Sequence, residues 1–437
     1  MGAVRCRQSR ARPLTVAALT VAYAACPARD AAAAAFQLKE TSALDLGTAF
    51  AGAGSAADSA ATVFANPAGM TQLPGLQVAA GLSLILPSFR FHGAARDGAG
   101  WPIPGESDRD GGRSAIVPYN HVSYRVTPDL AVGLSLTSPF GLATYYGPGF
   151  VGRYQADKTD LKTLNINPAV AYQVTPWLSV GAGVSAMYAR AEFASSINAS
   201  ALARQPARDG FFRLRGDDWG FGYNFGVLVQ PGPATRIGLA YRSRVQQDFV
   251  GTVTYDVPPQ LLASAVVREQ FRSGAGNAKV VLPDTASLGI TQGFGADWTV
   301  SAEVVWTNWS QFKNLTATRD NGTVLTTQPQ RYDNSYFVAL GASYRVTDSL
   351  TLRGGVAFDK TPVSSAYRNA RVPDESRTWL AIGASYTVLP GVTVDAGYAH
   401  LFVQDSRINE ATRTGDRLQG EFRNRVDVLS VGVRTVF

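Results

Sequence analysis

Histidines, cysteines and carboxylates are the side chains through which this 437-residue chain could bind a metal or perform hydrolysis. Its three histidines, His92, His121 and His400, do not have the spacing of a metal site. Both cysteines, Cys6 and Cys26, fall in the N-terminal segment. The chain has no G-x-S-x-G elbow, no G-x-G-x-x-G fingerprint and no P-loop. We therefore expect no cofactor and no metal, and the function must depend on how the secondary-structure elements arrange the remaining side chains.

The first 35 residues have the layout of a secretory signal peptide. Four arginines precede a short apolar run over residues 14–25, and alanines at 31–35 suit cleavage, which places the mature start at Phe36. A lipid-attachment box at Cys26 is the alternative, and Tyr23 and Pro27 fit it poorly. The segment holds five arginines and one aspartate, so its removal lowers the net charge from +7 to +3. The basic composition therefore does not indicate nucleic-acid binding.

After this segment the chain alternates with a period of two. Only 17% of its residues are charged, fewer than in ordinary soluble domains. Every second residue from Leu76 to Leu86 is apolar, and the residues between them are mostly small or polar. This pattern is typical of a strand that separates hydrocarbon from a polar lumen. It recurs near residues 130–136, 178–184, 219–229, 336–344 and 380–388.

Short and long connections alternate along the chain. We expect tight turns near residues 127–129, 175–177, 231–233, 296–298, 347–349 and 389–391. We expect long connections near residues 92–115, 145–163, 190–218, 256–277, 308–335, 359–377 and 403–425. The segments between them number fourteen. The sequence thus predicts an all-β, 14-stranded antiparallel barrel over residues 76–437, spanning a bacterial outer membrane.

Two further segments accompany the predicted barrel. The chain ends in a strand with a terminal aromatic, Phe437, which resembles the signal read by the barrel assembly machinery. Residues 36–75 lack the period of two and are rich in Ala, Gly and Ser. A lumen of fourteen strands is too wide for wall side chains to fill, so we expect residues 36–75 to form a plug, or hatch, inside it. Within it, Asn66-Pro67-Ala68 favours a turn.

Several motifs in this order resemble the outer-membrane family of long-chain fatty acid and aromatic-hydrocarbon transporters (FadL/TodX-like). They are Phe36-Gln37-Leu38, Asn66-Pro67-Ala68, Phe140-Gly141-Leu142, Trp219-Gly220-Phe221-Gly222, Tyr241-Arg242-Ser243, Trp309-Ser310-Gln311-Phe312, Ala357-Phe358-Asp359 and Pro373-Asp374. The resemblance covers essentially the whole mature chain. It implies a lumenal hatch and passive uptake of long-chain fatty acids or other hydrophobic small molecules.

The resemblance also implies roles for particular residues. Phe36, Gln37 and Leu38 match the mature N-terminus that gates the inner ligand site, and Asn66, Pro67 and Ala68 match the hatch motif. A third-strand kink that opens a lateral exit matches Ser138, Pro139, Phe140 and Gly141. From the residues themselves, Pro139 cannot donate to the strand ladder and Gly141 weakens it, so pairing should fail there.

Head-group recognition departs from the family's pattern. Ser195 and Gln328 stand where we align the basic side chains of fatty-acid members, which leaves room for a neutral or aromatic substrate. Arg190 and Arg331 are nearby candidates for head-group contacts. Other expected partners are outer-membrane lipid and lipopolysaccharide. A general porin is the alternative function, and a phospholipid hydrolase using a wall serine with His121 or His400 is a further one.

Overall fold

A computed structural model describes residues 35–437, so the predicted signal peptide lies outside the described residues except for Ala35. The described residues begin with three short helical elements, α1 (Ala43–Leu46), α2 (Thr62–Ala65) and a 3-10 helix at Pro67–Gln72. The later helices, all within connections or strand interruptions, are α3 (Ala199–Ala203), α4 (Ala265–Gln270) and 3-10 turns at Pro259–Leu261 and Trp309–Gln311. Within residues 35–437, no helix is both long enough and apolar enough to cross a membrane.

The strands of the described chain form a single sheet of twenty segments. They are β1 (Leu76–Arg96), β2 (Ala115–Arg125), β3 (Leu130–Thr137), β4 (Gly141–Tyr145), β5 (Lys158–Thr175), β6 (Leu178–Ile197), β7 (Gly210–Gly232), β8 (Thr235–Arg242), β9 (Val245–Asp256), β10 (Gly274–Leu282), β11 (Thr285–Phe294), β12 (Trp298–Thr307), β13 (Asn314–Arg319), β14 (Val324–Pro329), β15 (Ser335–Arg345), β16 (Leu350–Asp359), β17 (Arg377–Leu389), β18 (Val392–Val403), β19 (Ser406–Ala411) and β20 (Arg417–Val436).

These segments form fourteen antiparallel crossings, because six crossings are interrupted and contribute two segments each. The interrupted crossings are β3 with β4, β8 with β9, β10 with β11, β12 with β13, β14 with β15, and β18 with β19. β1 pairs with β20 along its length, from Gln77 opposite Val436 to Arg96 opposite Arg417, which closes the sheet. The predicted 14-stranded barrel is confirmed.

The two faces of the wall follow the predicted alternation. On β1 the outward Leu82 and Leu86 are exposed, whereas Gln77, Ala79 and Ser83 point inward and are buried. β7 carries exposed outward aromatics at Trp219, Phe221, Tyr223 and Phe225. Such a belt of exposed apolar side chains is stable only against hydrocarbon, since a soluble protein rarely exposes so large an apolar surface.

The strands extend further than the sequence pattern indicates on the side of the long connections. β13 and β14 lie within residues 308–335 and β19 lies within residues 403–425, all of which we expected to be connections. Beyond the apolar belt the outward face is polar, so the period of two loses its hydrophobic contrast although the backbone pairing continues.

Residues 36–75 contact the inward side of the wall around the barrel. A Cβ added to Gly397 on β18 would meet the carbonyl oxygen of Ala43, and one added to Gly355 on β16 would meet Thr48. On the other side, one added to Gly238 on β8 would overlap the carbonyl oxygen of Gly54. Wall glycines therefore let this segment pack directly against the strand backbones.

We predict that Gly238→Ala loosens residues 36–75 without opening the barrel. The added methyl group overlaps a backbone carbonyl that has no flexible end to move, so the docked segment should lose about 1–3 kcal/mol. Hydrogen exchange of residues 36–75 in detergent should accelerate, while the folded barrel keeps its heat-modifiable gel mobility. Gly232→Ala is the matched control, because nothing lies within 4 Å of its added Cβ. Unchanged exchange in Gly238→Ala would contradict the packing described here.

Candidate functional site

The third crossing is interrupted between β3 and β4. β3 ends at Thr137 and β4 begins at Gly141, so Ser138, Pro139 and Phe140 lie outside regular strand. β2 pairs with β3 as far as Asn120 opposite Leu136, and β4 has its ladder with β5. The wall therefore loses its regular pairing with β2 at the height of Ser138.

The N-terminal residues supply hydrogen bonds at this break. Leu38 donates its backbone N–H to the carbonyl oxygen of Pro139 at 2.9 Å, and Gly141 donates to the carbonyl oxygen of Phe36 at 2.9 Å. Gln37 forms a β-bridge with Phe140. Residues 36–38 thus act as a short strand on the inner side of the interrupted crossing.

Phe36 is buried in an aromatic cluster. Its ring lies 4.6 Å from Trp309, 5.6 Å from Phe312 and 6.3 Å from Phe140, measured between centroids. Trp309 belongs to the 3-10 turn that separates β12 from β13 and is fully buried. The turn breaks the two-residue alternation, which is why strand periodicity could not identify Trp309 as a partner of Phe36. The cluster joins the N-terminus to two interrupted strands.

Two cavities lie on the long-connection side of Phe36. The outer one has a volume of about 1050 Å³, and its lining mixes apolar side chains such as Phe212 and Leu214 with polar and charged ones such as Arg319 and Asp416. The inner one is about 40 Å³, and Phe36, Leu161 and Phe249 contribute to its walls. Both cavities share four lining residues, Phe193, Leu315, Gln328 and Arg371. The cavities therefore meet at a junction that contains one shared cation.

Arg371 is held at this junction by the barrel wall. Its Nη1 donates to the carbonyl oxygens of Lys158 and Ala194, at 3.2 and 3.1 Å. Beside it, Gln328 donates from Nε2 to Glu410 at 3.1 Å. Arg371 comes from the connection between β16 and β17, which has no periodicity and also contains Arg368. Nothing in the sequence distinguished Arg371 from an arginine exposed in a loop.

The two arginines predicted to contact a head group lie elsewhere. Arg190 is exposed on the outward face of β6, between the buried Ala189 and Ala191, and Arg331 is exposed and stacks on Tyr367. Neither lines the cavities described above, so head-group contact by these two residues stays a prediction. The alternation of β6 already assigned Arg190 to the outward face. Of the two aligned replacements, Ser195 lines the outer cavity and Gln328 lines both.

The wall on the short-turn side of the break is polar. Ser135 and Thr137 on β3, His121 and Ser123 on β2, and Asn165 on β5 are all fully or almost fully buried. Each has a side-chain nitrogen or oxygen without a hydrogen-bond partner among the described residues. Groups of this kind are stable next to water and costly next to an alkyl chain. This part of the inner wall therefore suits an alkyl chain less well than the largely apolar inner cavity does.

The N-terminal segment also buries charge. A cavity of about 130 Å³ beneath Phe36 is lined by Lys39, Arg242 and Glu303, and the Lys39 ammonium lies 4.1 Å from the centre of the Phe337 ring. Burial lowers the pKa of Lys39 and raises the pKa of Glu40. Both shifts mean that docking disfavours the charged forms, a cost that release of the segment would remove.

Asn66 fixes the other end of the N-terminal segment, residues 36–75, by hydrogen bonds. Its Nδ2 donates to the carbonyl oxygens of Gly54 at 2.8 Å and Val227 at 3.0 Å, and its Oδ1 accepts from the Ala68 N–H at 3.2 Å. Asn66 is fully buried, and Pro67 begins the 3-10 helix. The bond to Val227 ties the turn to β7 of the wall, and the other two hold the turn within residues 36–75.

The histidines do not form a hydrolytic site with serine in the described chain. His121 uses Nε2 to bond the carbonyl oxygen of Thr41 at 2.8 Å, and its Nδ1 has no partner although Ser135 is its cross-strand neighbour. His400 pairs through Nδ1 with Asp427 at 2.7 Å. Residues 35–437 hold no group of three or more His, Cys, Asp or Glu that could bind a metal.

Known proteins match this chain over most of its length. The chain is 34% identical over 395 residues to the 47 kDa outer membrane protein of Pasteurella multocida, covering 86% of this chain and 88% of that protein. It is 31% identical over 423 residues to the long-chain fatty acid transport protein of Escherichia coli K12, covering 91% and 94%. A Pseudomonas aeruginosa FadL homologue shares the fold with a TM-score of 0.86 at 24% identity, over 92% of this chain and 99% of that one.

A second solved structure, the Ralstonia pickettii toluene transporter TbuX, shares the fold with a TM-score of 0.68 at 18% identity, covering 91% of this chain and 98% of that one. Residues 24–437 also match the family described as outer membrane protein transport protein (OMPP1/FadL/TodX). Together with the closed barrel, these matches mean that the chain belongs to the OMPP1/FadL/TodX family of bacterial outer-membrane transport proteins.

Proposed function

We propose that this protein carries hydrophobic molecules, long-chain fatty acids or related apolar and aromatic compounds, passively through the outer membrane. The observation that carries the proposal is the contrast between the largely apolar inner cavity beside Phe36 and the buried polar groups of the wall below residues 138–140. The free energy of an apolar molecule falls when it leaves water for the apolar side chains of the inner cavity, and it would rise if the molecule moved straight on. Names of relatives, which include long-chain fatty acid transport proteins, support the substrate class.

We infer that cargo passes from the outer cavity to the inner one across Arg371. A tail of methylene groups suits the apolar linings, and a carboxylate can accept a charge-assisted hydrogen bond from the guanidinium. Arg371 thus replaces Arg190 and Arg331 in our assignment of head-group recognition. Gln328 adds a neutral polar group at the same junction.

Entry to the inner cavity requires Phe36 to move. A volume of about 40 Å³ has room for only about three or four water molecules and not for an acyl chain. Phe36 lies on a segment of three residues held at its backbone by few bonds, whereas the other lining groups belong to the wall strands and to the connections between them. Cargo that displaces Phe36 also withdraws the strand of residues 36–38 from the break. We propose that this step is the gate.

Lateral exit through the break completes the path. Once residues 36–38 leave, Pro139 and Phe140 border a gap between β2 and β4 that faces hydrocarbon. Cargo leaves sideways because an alkyl chain that moved further down would lie against polar atoms of His121 and Asn165 and could not give them hydrogen bonds. Residues 36–75 serve as the hatch that closes the straight route, which disfavours a general porin.

Two further assignments concern enzymatic activity and the export of the chain. We propose no enzymatic role, since the relatives bear names of transport and membrane proteins and neither histidine bonds a serine hydroxyl in the described chain. The terminal Phe437 and the signal peptide serve export and insertion by the barrel assembly machinery.

The transport assignment is tested in cells that lack the protein and in cells that regain it. Restoring the protein should raise uptake of oleate and of toluene, with little change for a small sugar, because the cavities exclude cargo that must keep its water. Radiolabelled uptake over the first minutes measures all three. An equal rise for the sugar would indicate a porin.

Arg371→Met tests head-group recognition. Losing a hydrogen bond to a charged group costs about 1.5–3 kcal/mol, so oleate affinity should fall by about tenfold or more while toluene affinity stays within about twofold. Titration calorimetry of the detergent-solubilised protein measures both. Arg413→Met is the control, since Arg413 lines the outer cavity alone. Equal losses for both ligands would mean that Arg371 only supports the wall.

Deleting residues 138–140 tests the lateral exit. Thr137 and Leu142 both point inward, so the deletion joins β3 to β4 with the alternation of faces preserved. Uptake of oleate should stop while the barrel still assembles, as heat-modifiable gel mobility reports. Deleting residues 97–99, in an exposed connection, is the control. Normal uptake after the 138–140 deletion would reject this exit.

A further inference from the structure

Arg190 does not face the lumen, and its surroundings on the outside of the barrel form a distinct surface. On β5, β6 and β7 five basic side chains point outward beyond the apolar belt, together with three acidic ones. The basic residues are Lys158, Lys162, Arg190, Arg213 and Arg215, and the acidic ones are Asp160, Glu192 and Asp217. We call these eight residues the outer basic face.

The outer basic face begins where the apolar belt ends. In the register of the sheet, Leu164, Tyr188 and Trp219 form one outward row, and Lys162, Arg190 and Asp217 form the next row toward the long connections. Two residues along a strand span about 7 Å. From Trp219 to Val229 the outward positions of β7 are all apolar, a height of about 25 Å at the usual strand tilt, which is the thickness of a hydrocarbon core. The second row therefore lies at the upper boundary of the hydrocarbon.

Two of the acids on this face are already neutralised by lysine and arginine. Glu192 accepts from Lys158 at 3.2 Å and lies 3.5 Å from Arg213, and Asp160 lies 3.5 Å from Lys162. The carboxylates are 15% and 16% exposed, whereas the Arg213 side chain is 51% exposed. The basic groups thus project beyond the acids that balance them.

Two guanidinium groups remain without an acidic partner. Neither Arg190 nor Arg215 has a carboxylate oxygen within 4 Å among the described residues, although Asp217 is opposite Arg190 and Glu192 is opposite Arg215 in the register. Lys162, which pairs with Asp160, lies directly opposite Arg190 in the register, so a third cation stands beside these two guanidinium groups. The arrangement is suited to a dianionic group that approaches from the membrane.

We propose that the outer basic face binds the phosphate groups of a phosphorylated glycolipid of the outer leaflet, the lipid A part of lipopolysaccharide. Its acyl chains would lie against Leu164, Tyr188 and Trp219, and a phosphate above them would accept charge-assisted hydrogen bonds from Arg190, Lys162 and Arg215. The position of the cations, one row above the belt, matches a lipid whose phosphates sit at the base of its sugars. The proposal depends on the outer-membrane location and not on the cargo.

The test measures binding of diphosphoryl lipid A to the detergent-solubilised full mature protein by native mass spectrometry. The variant combines Lys162→Gln, Arg190→Gln and Arg215→Gln. We expect its affinity to fall by at least tenfold, with oleate uptake in cells unchanged. Arg208→Gln, Arg272→Gln and Lys279→Gln together form a charge-matched control, because each of these side chains pairs with an acid outside the outer basic face. The control should keep wild-type affinity.

Further arms identify the anion and guard against misfolding. Arg190→Lys alone, which keeps the charge, should retain most of the binding. Heat-modifiable gel mobility should be normal for every variant. Inorganic phosphate at millimolar concentration and phosphatidylglycerol should compete weakly. Undiminished lipid A binding by the triple variant would overturn the proposal. Equal competition by phosphatidylglycerol or by free phosphate would also overturn it, since the face would then be a general anion site.

Discussion

Backbone N–H and C=O groups cannot remain unpaired in hydrocarbon, and this constraint governs every part of the molecule. It closes the sheet through β1 and β20, and it makes any interruption of the wall costly. The interruption between β3 and β4 is tolerated because Leu38 and Gly141 complete hydrogen bonds between the wall and the N-terminal residues. The segment that fills the break is also the segment that Phe36 anchors beside the inner cavity. Pairing of the wall and occupancy of the cavity are therefore linked through three residues.

The lumen and the outer surface are each divided by height, in different ways. Inside, a largely apolar cavity beside Phe36 gives way to buried polar groups of the wall at the level of the break. Outside, the apolar belt gives way to cations at the row of Arg190. The first boundary underlies the proposed path of the cargo. The second underlies the proposed contact with charged lipid head groups.

Much of the fold could be predicted from the sequence. The period of two at Leu76–Leu86 and the strict order of short and long connections were enough for fourteen strands, because each outward residue in lipid must be apolar whatever its distant neighbours are. The same alternation predicts that Arg190 points outward, although its closeness in sequence to the aligned Ser195 had suggested a head-group contact. Strand ends were harder to predict, since β13, β14 and β19 continue where both faces are polar.

The sequence alone determined the local pattern of this protein: a signal-like N-terminus, a wall of alternating faces, and a proline at residue 139 that cannot join the ladder. Only the tertiary structure decided which side chains meet. Arg371 lies in a connection without periodicity, and Trp309 lies in a turn that leaves the strand, so their positions depend on contacts across the lumen. Period and turn chemistry act between neighbours in the chain, whereas a cavity is formed by residues from many strands that closure of the barrel brings together.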